Sequence, residues 1–276
     1  MNYIFKRPII LPQAFFAANP CEETKLQEQP KLEKVTDTLS VYQQKGVFFY
    51  GTDAVLLAAY ASGAVKRNSQ SRGIELCSGT AFASLSLLDK FPHLSMSALE
   101  INKKACELSN MSARESSLSE RFSVTCGDVK CARSLFSSER FDFVICNPPY
   151  MTATSGKMCA DDYKTVARHE ILCNISDIFA ASYFLLGTGA SLFIVYRPDR
   201  LSSLFSAAKE NNFEIKKMTF VFSKIDREPP LVLCEAKKQA KEGLVLTEPL
   251  IIYGPDGQYT EKMRRVCEEG EMSFGK

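Results

Sequence analysis

The sequence predicts an α/β protein with a mostly parallel β-sheet, helices on both faces of the sheet and an antiparallel last strand. Two observations lead to this prediction. Short apolar runs alternate with longer helix-like stretches between residues 72 and 212, an order typical of strand–crossover–strand units. The last two apolar runs, 213–223 and 229–238, are joined by a short loop, which permits only antiparallel pairing.

The predicted elements follow one another in a regular order and give a sheet of seven strands. Strands are predicted at 72–78, 94–100, 121–128, 141–147, 190–198, 213–223 and 229–238. Helices are predicted at 51–65, 80–91, 102–117, 177–187 and 201–212. A short helix or turn is predicted at 129–137, between the third and the fourth strand.

The two ends of the chain differ from this pattern. Residues 1–34 are interpreted as an irregular N-terminal extension, because their last part is polar and interrupted by prolines. The folded domain is expected to span 35–255, and 256–276 are assigned to a C-terminal tail.

A hairpin is predicted directly before the first helix. Residues 39–50 contain two short strand-like runs separated by Lys45 and Gly46. The helix that follows has an apolar face, and either Thr52 or Asp53 is expected to cap its N-terminus.

Composition narrows the class of protein. The chain has 276 residues, 45% of them hydrophobic, and a net charge of +2, so no global basic field indicates nucleic acid. Ten cysteines are scattered without the spacing of a zinc site, and with only two histidines we expect no metal. Unpaired thiols are typical of a reducing cytosol, and no run is long enough to span a membrane, so a soluble cytoplasmic protein is expected.

Basic residues nevertheless cluster locally. Such clusters either contact phosphate or form solvated faces. They lie at 6–8, 214–217, 237–241 and 262–265.

A glycine-containing turn, ELCSGTAF, follows the first strand of the predicted sheet. Gly79 is its central residue, where the backbone either approaches a ligand or takes a positive φ. A dinucleotide-binding loop would have glycine also at the positions of Cys77 and Ala81, so the motif alone is weak. A plain tight turn between strand and helix is the alternative.

Acidic residues end the next two strands. Glu100 follows Gly79 by about 20 residues, the spacing at which a carboxylate accepts hydrogen bonds from ribose hydroxyls. Asp128 is a candidate acceptor for an adenine amino group, and a helix N-cap is its equally weighted alternative. Because ligands of open α/β sheets bind at the carboxyl ends of strands, both carboxylates are expected in one crevice.

The fourth strand ends in Asn147, Pro148, Pro149 and Tyr150. Proline forces the preceding Asn147 into an extended conformation, so its side-chain carbonyl and the carbonyl of Pro148 can converge on one planar NH2 group. Holding both hydrogens favours a pyramidal nitrogen whose lone pair faces an electrophile. Tyr150 can stack on the flat group that carries the amine. This pattern indicates methyl transfer to a planar amine.

Together these motifs resemble class I S-adenosylmethionine-dependent methyltransferases, whose Rossmann-like sheet has seven strands. Several further stretches are similar to the family of bacterial tRNA(Val) adenine-37 N6-methyltransferases. They lie at 43–61, 167–170, 196–224, 229–238 and 248–263. The resemblance implies S-adenosyl-L-methionine as cofactor, S-adenosyl-L-homocysteine as product, and an adenine in the anticodon loop of tRNA as substrate. We expect a monomer.

The resemblance also implies the residues of the site. Those assigned to cofactor binding are Thr52, Asp53, Glu75, Cys77, Gly79, Glu100, Asp128 and Asn147. Those assigned to catalysis are Asn147, Pro148, Pro149 and Tyr150. The sequence departs from the family at Cys77 and Ala81, where a Cβ narrows the approach to the methionine part of the cofactor.

Two other functions stay open at this point. An amide also fits the acceptors of the Asn-Pro-Pro-Tyr motif, so a protein glutamine N5-methyltransferase is one alternative. A non-catalytic fold that binds RNA or a partner protein is the other, because of the altered glycine loop. Residues 151–166 are a candidate lid, while His169 is assigned a structural role at a helix start. Arg197 and Arg200 are candidates for phosphate contact or for surface pairing.

Overall fold

The computed structural model describes residues 29–47, 50–65, 70–137, 140–149 and 173–272. Within these ranges a nine-stranded sheet is flanked by helices, and a two-stranded ribbon lies beside it. The strands are β1 Lys31–Lys34, β2 Ser40–Gln43, β3 Ser71–Leu76, β4 Leu94–Glu100, β5 Phe122–Cys126, β6 Phe141–Cys146, β7 Leu186–Tyr196, β8 Phe213–Phe222, β9 Leu231–Lys238, β10 Val245–Leu246 and β11 Leu250–Ile251. The helices are α1 Thr52–Ala61, α2 Phe82–Lys90, α3 Lys103–Glu115, α4 Ala132–Leu135, α5 Ile175–Leu185, α6 Leu201–Glu210 and α7 Glu261–Glu269.

The order of strands confirms the predicted α/β architecture. The sheet runs β5-β4-β3-β6-β7-β9-β8, with β10 and β11 both paired to β8 at the edge. Strands β3 to β7 pair in parallel, whereas β9 is antiparallel to both β7 and β8. The seven long strands are the predicted ones, and the two-residue strands β10 and β11 are additions that the sequence did not predict.

The central strands are apolar because helices cover both faces of the sheet. Ile74 in β3 and Phe143 in β6 are fully buried. One large cluster of buried residues lies on each face. Packing requires glycine at position 73 of β3, because a Cβ there would lie 2.5 Å from the Met96 sulfur and from the Phe143 ring. This rigid sheet fixes the positions at which its strands end.

The N-terminal hairpin differs from the predicted one. Lys31–Lys34, assigned to the irregular extension 1–34, form strand β1, which pairs with β2. The turn between β1 and β2 therefore precedes β2. Lys45 and Gly46 also lie in a turn, in which the N–H of Val47 donates to the carbonyl of Gln44 at 3.1 Å, but the second predicted arm includes residues outside the described ranges. The ribbon is held on α3, because Ser112 and Ser116 accept hydrogen bonds from backbone N–H groups of β2 at 2.8 and 3.0 Å.

The start of α1 also differs from the prediction. Its N-cap is Gly51, which makes no side-chain capping bond, while Thr52 and Asp53 lie within the first turn. Asp53 accepts a hydrogen bond from the N–H of Ala54 at 2.9 Å.

The segment assigned to a C-terminal tail contains α7. The Thr260 side chain caps this helix by accepting a hydrogen bond from the N–H of Met263 at 3.2 Å. Met263 and Val266 are buried in the larger core cluster. The spacing of these two residues is helical, so the core extends into the segment 256–276.

The described residues contain neither a membrane-spanning helix nor a metal-binding cluster. None of the helices in the described ranges is long and apolar enough to cross a membrane. The same ranges contain no group of three or more His, Cys, Asp or Glu residues arranged to hold a metal ion.

Candidate active site

A cavity of about 470 Å³ opens at the carboxyl ends of β3, β4, β5 and β6. Ligand sites of open α/β sheets lie at this edge. The predicted site residues that line the cavity are Glu75, Cys77, Gly79, Glu100, Asp128, Asn147, Pro148 and Pro149. Thr52 and Asp53 are not among the lining residues, and Tyr150 lies outside the described residues.

The turn after β3 takes a left-handed conformation at alternate residues. The φ angles of Cys77, Gly79 and Ala81 are +54°, +53° and +56°. This conformation costs a non-glycine residue roughly 1–2 kcal/mol. The turn therefore has a backbone conformation that favours glycine at three positions, although only Gly79 is glycine.

Glu100 at the end of β4 holds two neighbouring segments. One carboxylate oxygen accepts from the N–H of Gly79 and the other from the N–H of Asn102, both at 2.8 Å. The side chain is buried. Each carboxylate oxygen has two lone pairs, so Glu100 keeps the capacity to accept from a ligand in the cavity.

Glu75 in β3 supplies the capping group that α2 lacks. The N-cap of α2, Ala81, has no side-chain acceptor, and one Glu75 oxygen accepts from the N–H of Ser84 at 2.9 Å and from its hydroxyl at 2.5 Å. Glu75 is only 3% exposed. Burial raises the pKa of its carboxyl to about 7, while the Ser84 hydrogen bonds act in the opposite direction.

Asp128 after β5 acts as an N-cap, which is one of the two roles considered for it. Its side chain caps a short 3-10 turn, 129–131, by accepting from the N–H of Lys130 at 2.9 Å. The residue also lines the cavity. The cap fixes the orientation of the carboxylate, which follows the strand next to that of Glu100.

Asn147 is joined to α1. Its Nδ2 donates a hydrogen bond of 2.8 Å to Oδ2 of Asp53, which is 3% exposed. Asp53, assigned from sequence to the wall of the cofactor pocket, thus reaches the site through Asn147.

Sequence reasoning missed two features of the cavity wall. The rings of Tyr50 and Phe82 stack at 3.8 Å with an interplanar angle of 10°, and both residues line the cavity. The buried hydroxyl of Ser78 has no hydrogen-bond partner within the described residues and also belongs to the wall. Ser78 stands in the ELCSGTAF turn, so its position was a signal for a ligand-facing hydroxyl, whereas the aromatic pair depends on tertiary contact.

The thiols near the cavity behave as apolar groups. A hydrogen bond with Cys146 and burial raise the pKa of Cys77, and burial raises the pKa of Cys146. Both thiols are therefore protonated at neutral pH. The eight described cysteines are free.

Most basic residues of the predicted clusters make contacts within the protein. Clusters 214–217 and 237–241 lie where β8 begins and β9 ends, at the strand ends opposite those that form the cavity. There Lys217 and Lys237 both pair with Glu235. In cluster 262–265 each of two cations pairs with a nearby glutamate, and cluster 6–8 lies outside the described residues.

Arg197 and Arg200 follow β7 at the same edge as the cavity. The guanidinium of Arg197 pairs with Asp199 at 2.9 Å, which is the surface pairing considered from the sequence. The candidate lid 151–166 and His169 lie outside the described residues.

Comparisons with known proteins agree with this geometry. The sequence model of the methyltransferase small domain family matches residues 38–198. A relative from Porphyromonas gingivalis strain W83, named tRNA1(Val) (adenine(37)-N6)-methyltransferase, is 28% identical over 222 residues, which cover 79% of this chain and 86% of the relative. A relative of the same name from Bacteroides fragilis strain YCH46 is 26% identical over 212 residues, or 76% and 86% of the two chains.

One solved structure shows the same fold. It is a protein from Agrobacterium tumefaciens described as a predicted O-methyltransferase, with a TM-score of 0.64 and 19% identity. The match covers 81% of this chain and 99% of that one. Because the family match spans more than half of the chain, the chain belongs to the methyltransferase small domain family.

Proposed function

We propose that this methyltransferase transfers a methyl group from S-adenosyl-L-methionine to the exocyclic N6 of an adenine in tRNA. Adenine 37 in the anticodon loop of tRNA(Val) is the proposed target. The names of the two relatives described above support the substrate. The chemistry of the site supports an amine as the methyl acceptor.

One observation carries the proposal. Asn147, Pro148 and Pro149 line the same cavity as Gly79 and Glu100. The proposed amine acceptors and the proposed ribose acceptors therefore line one cavity, and transfer between a bound cofactor and a bound base requires such an arrangement.

The residues of the cavity fit an S-adenosylmethionine molecule. The cavity volume is in the ~300–1,000 Å³ range of small-molecule sites. The unpartnered hydroxyl of Ser78 offers a hydrogen bond to a polar ligand group. In our proposal Glu100 accepts from the ribose hydroxyls, Asp128 accepts from the adenine amino group, and the backbone at Gly79 lies against the methionine part. When bound, S-adenosyl-L-methionine supplies an electrophilic methyl group carried by a sulfonium.

Asn147 and Pro148 act on the amine. The Asn147 side-chain oxygen and the Pro148 carbonyl accept its two hydrogens, which directs the nitrogen lone pair out of the plane of the base. Tyr150 stays predicted to stack on the base. A strongly basic residue is not needed, because the nitrogen becomes acidic as it is alkylated and releases its proton to water.

Incubation with radiolabelled S-adenosyl-L-methionine and unmodified total tRNA tests the proposal. After digestion to nucleosides, we expect the label in N6-methyladenosine. A release-factor peptide serves as the control acceptor for glutamine methylation. Label in the peptide and none in tRNA would overturn the proposed substrate class.

A further inference from the structure

The hydrogen bond between Asp53 and Asn147 joins a helix of the core to the proposed catalytic motif. Asp53 lies in the first turn of α1, and eight of the nine other residues of that helix are buried. One carboxylate oxygen accepts from Ala54 N–H at 2.9 Å, and the other accepts from Asn147 Nδ2 at 2.8 Å. Both oxygens of a buried acid are thus engaged.

This bond determines which way the Asn147 amide faces. An ionised carboxylate only accepts hydrogen bonds, whereas an amide side chain carries a donor on one branch and an acceptor on the other. Rotating the amide by half a turn would bring its oxygen against the Asp53 carboxylate in a buried setting, where such repulsion is poorly screened. Asp53 therefore keeps Nδ2 on its own side and Oδ1 on the opposite branch.

We propose that Asp53 is the positioning residue that fixes Oδ1 of Asn147 as the acceptor for the substrate amine. The inference rests on the proposed function, because it assigns a task to the amide within that reaction. Asp53 is not among the residues that line the cavity, so it acts through Asn147.

Burial makes the bond effective. At 3% exposure Asp53 has few water molecules to compete for its oxygens, and a hydrogen bond to a charged acceptor is stronger than one between neutral groups. The charge also polarises the amide, so that Oδ1 becomes a better acceptor. An amide oxygen has two lone pairs and can accept from a bound amine even where another donor uses one of them.

A role limited to stability is the competing explanation, since a buried carboxylate needs donors wherever it lies. The two explanations differ for Asp53→Asn. This variant keeps the shape of the side chain, and its oxygen can still accept from the N–H of Ala54. Its NH2 group then faces Asn147, so it favours the reversed orientation of the amide. Positioning predicts a drop in kcat of about 30-fold with the KM for tRNA unchanged, whereas a stability role predicts an unchanged kcat in the folded protein.

The exchange of the two residues is the rescue test. Asn147→Asp alone places two carboxylates side by side, and we expect kcat at pH 8 to fall by about 100-fold or more. In the double variant Asp53→Asn/Asn147→Asp the donor comes from position 53 and the acceptor stays at position 147. We expect kcat to return to within about tenfold of the wild type.

The experiment measures four quantities for the wild type, Asp53→Asn, Asn147→Asp and the double variant. These are kcat and KM with total tRNA, the Kd for S-adenosyl-L-methionine by calorimetry, the thermal midpoint, and the side-chain amide signals of Asn147 by NMR. Glu235→Gln is the matched control, because Glu235 is also buried and bonded, to Ser191 at 2.8 Å, but lies away from the cavity. Its kcat is expected to equal that of the wild type.

The outcomes separate the two proposals. A wild-type kcat in Asp53→Asn, or a folded double variant as inactive as Asn147→Asp, would overturn the positioning role. Failure of the proposed function shows in the wild type itself, as absence of labelled N6-methyladenosine. In that case the NMR signals still test the orientation of the amide. If the hydrogen bond to Asp53 fixes the Asn147 amide, loss of the Asp53 carboxylate must shift and broaden the side-chain amide signals of Asn147.

Discussion

The two halves of the cavity are organised in different ways. The proposed cofactor half, residues 75–81, 100–102 and 128–130, is held by carboxylates that accept from backbone N–H groups. The proposed substrate half, Asn147–Pro149, contains two stiff prolines and a side-chain hydrogen bond from Asn147 to Asp53. The contrast predicts that substitutions in the proposed cofactor half weaken cofactor binding with little effect on turnover. Substitutions of Asn147 should instead lower turnover with little effect on cofactor binding.

The largest expected effect tests the substrate half. Asn147→Ala removes the amide that is proposed to accept from the substrate amine, and we expect kcat to fall by about 1,000-fold. The Kd for S-adenosyl-L-methionine should change by less than about threefold, because the cofactor half keeps its own hydrogen bonds. Single-turnover methylation and calorimetry measure the two quantities. Retained turnover would show that the amine is held elsewhere and would remove the contrast between the halves.

The next effect tests the cofactor half. Glu100→Ala removes the acceptor of both the Gly79 and the Asn102 N–H groups, and it also removes the proposed ribose acceptor. We expect the Kd for S-adenosyl-L-methionine to rise by about 100-fold, measured by calorimetry. At saturating cofactor kcat should stay within about tenfold of the wild type. A loss of kcat with an unchanged Kd would reverse the assignment of the two halves.

A third effect concerns pH and Glu75. Its folded pKa of about 7 lies above the usual glutamate pKa of 4.5, so the folded state binds the proton more tightly than the unfolded state. The corresponding stability is complete below pH 4.5 and is lost as pH rises through about 7. Gln at this position does not titrate. The unfolding free energy of Glu75→Gln minus that of the wild type should therefore rise by on the order of 2 kcal/mol from pH 5 to pH 8.

Urea unfolding at the two pH values measures this difference, and other titrating groups cancel between the two proteins. A difference that stays constant with pH would mean that the Glu75 carboxyl is ionised at both pH values.

The smallest effect concerns the left-handed residue Ala81. Ala81→Gly relieves the backbone but loses a buried methyl group and makes the unfolded chain more flexible, so the unfolding free energy should change by less than about 0.5 kcal/mol. Ala81→Val is the contrasting variant. A β-branched residue at positive φ in a buried site should destabilise by more than about 2 kcal/mol, measured by urea unfolding. Equal stabilities of the two variants would show that the loop is not strained.

The sheet could be predicted from the sequence because each central strand is a continuous apolar run with a polar end. The same logic placed Gly79, Glu100 and Asn147 at one edge. It failed for β1, whose four residues are all exposed, so that no periodicity distinguishes them from an extended coil. For α7 the apolar spacing of Met263 and Val266 was visible, but the charges between them suggested a solvated cluster.

From the sequence, the site could be predicted only for residues that follow the predicted strands directly. The roles of Asp53 and Glu75 depend on which donor lies nearby in space. Asp53 looked like a helix cap, and the structure instead brings it to Asn147. The stacking of Tyr50 on Phe82 depends on packing in the same way.

The bond between Asp53 and Asn147 also has a consequence for the order of folding. The hydrogen bonds of Glu75 and Glu100 link residues 2 to 21 positions apart, whereas Asp53 and Asn147 are 94 positions apart. Closing the longer loop costs more chain entropy, so this contact should form after β3 and β6 have paired. A chain leaving the ribosome would then complete its nucleotide pocket before its acceptor amide is oriented, and partly folded chains would hold cofactor without transferring its methyl group.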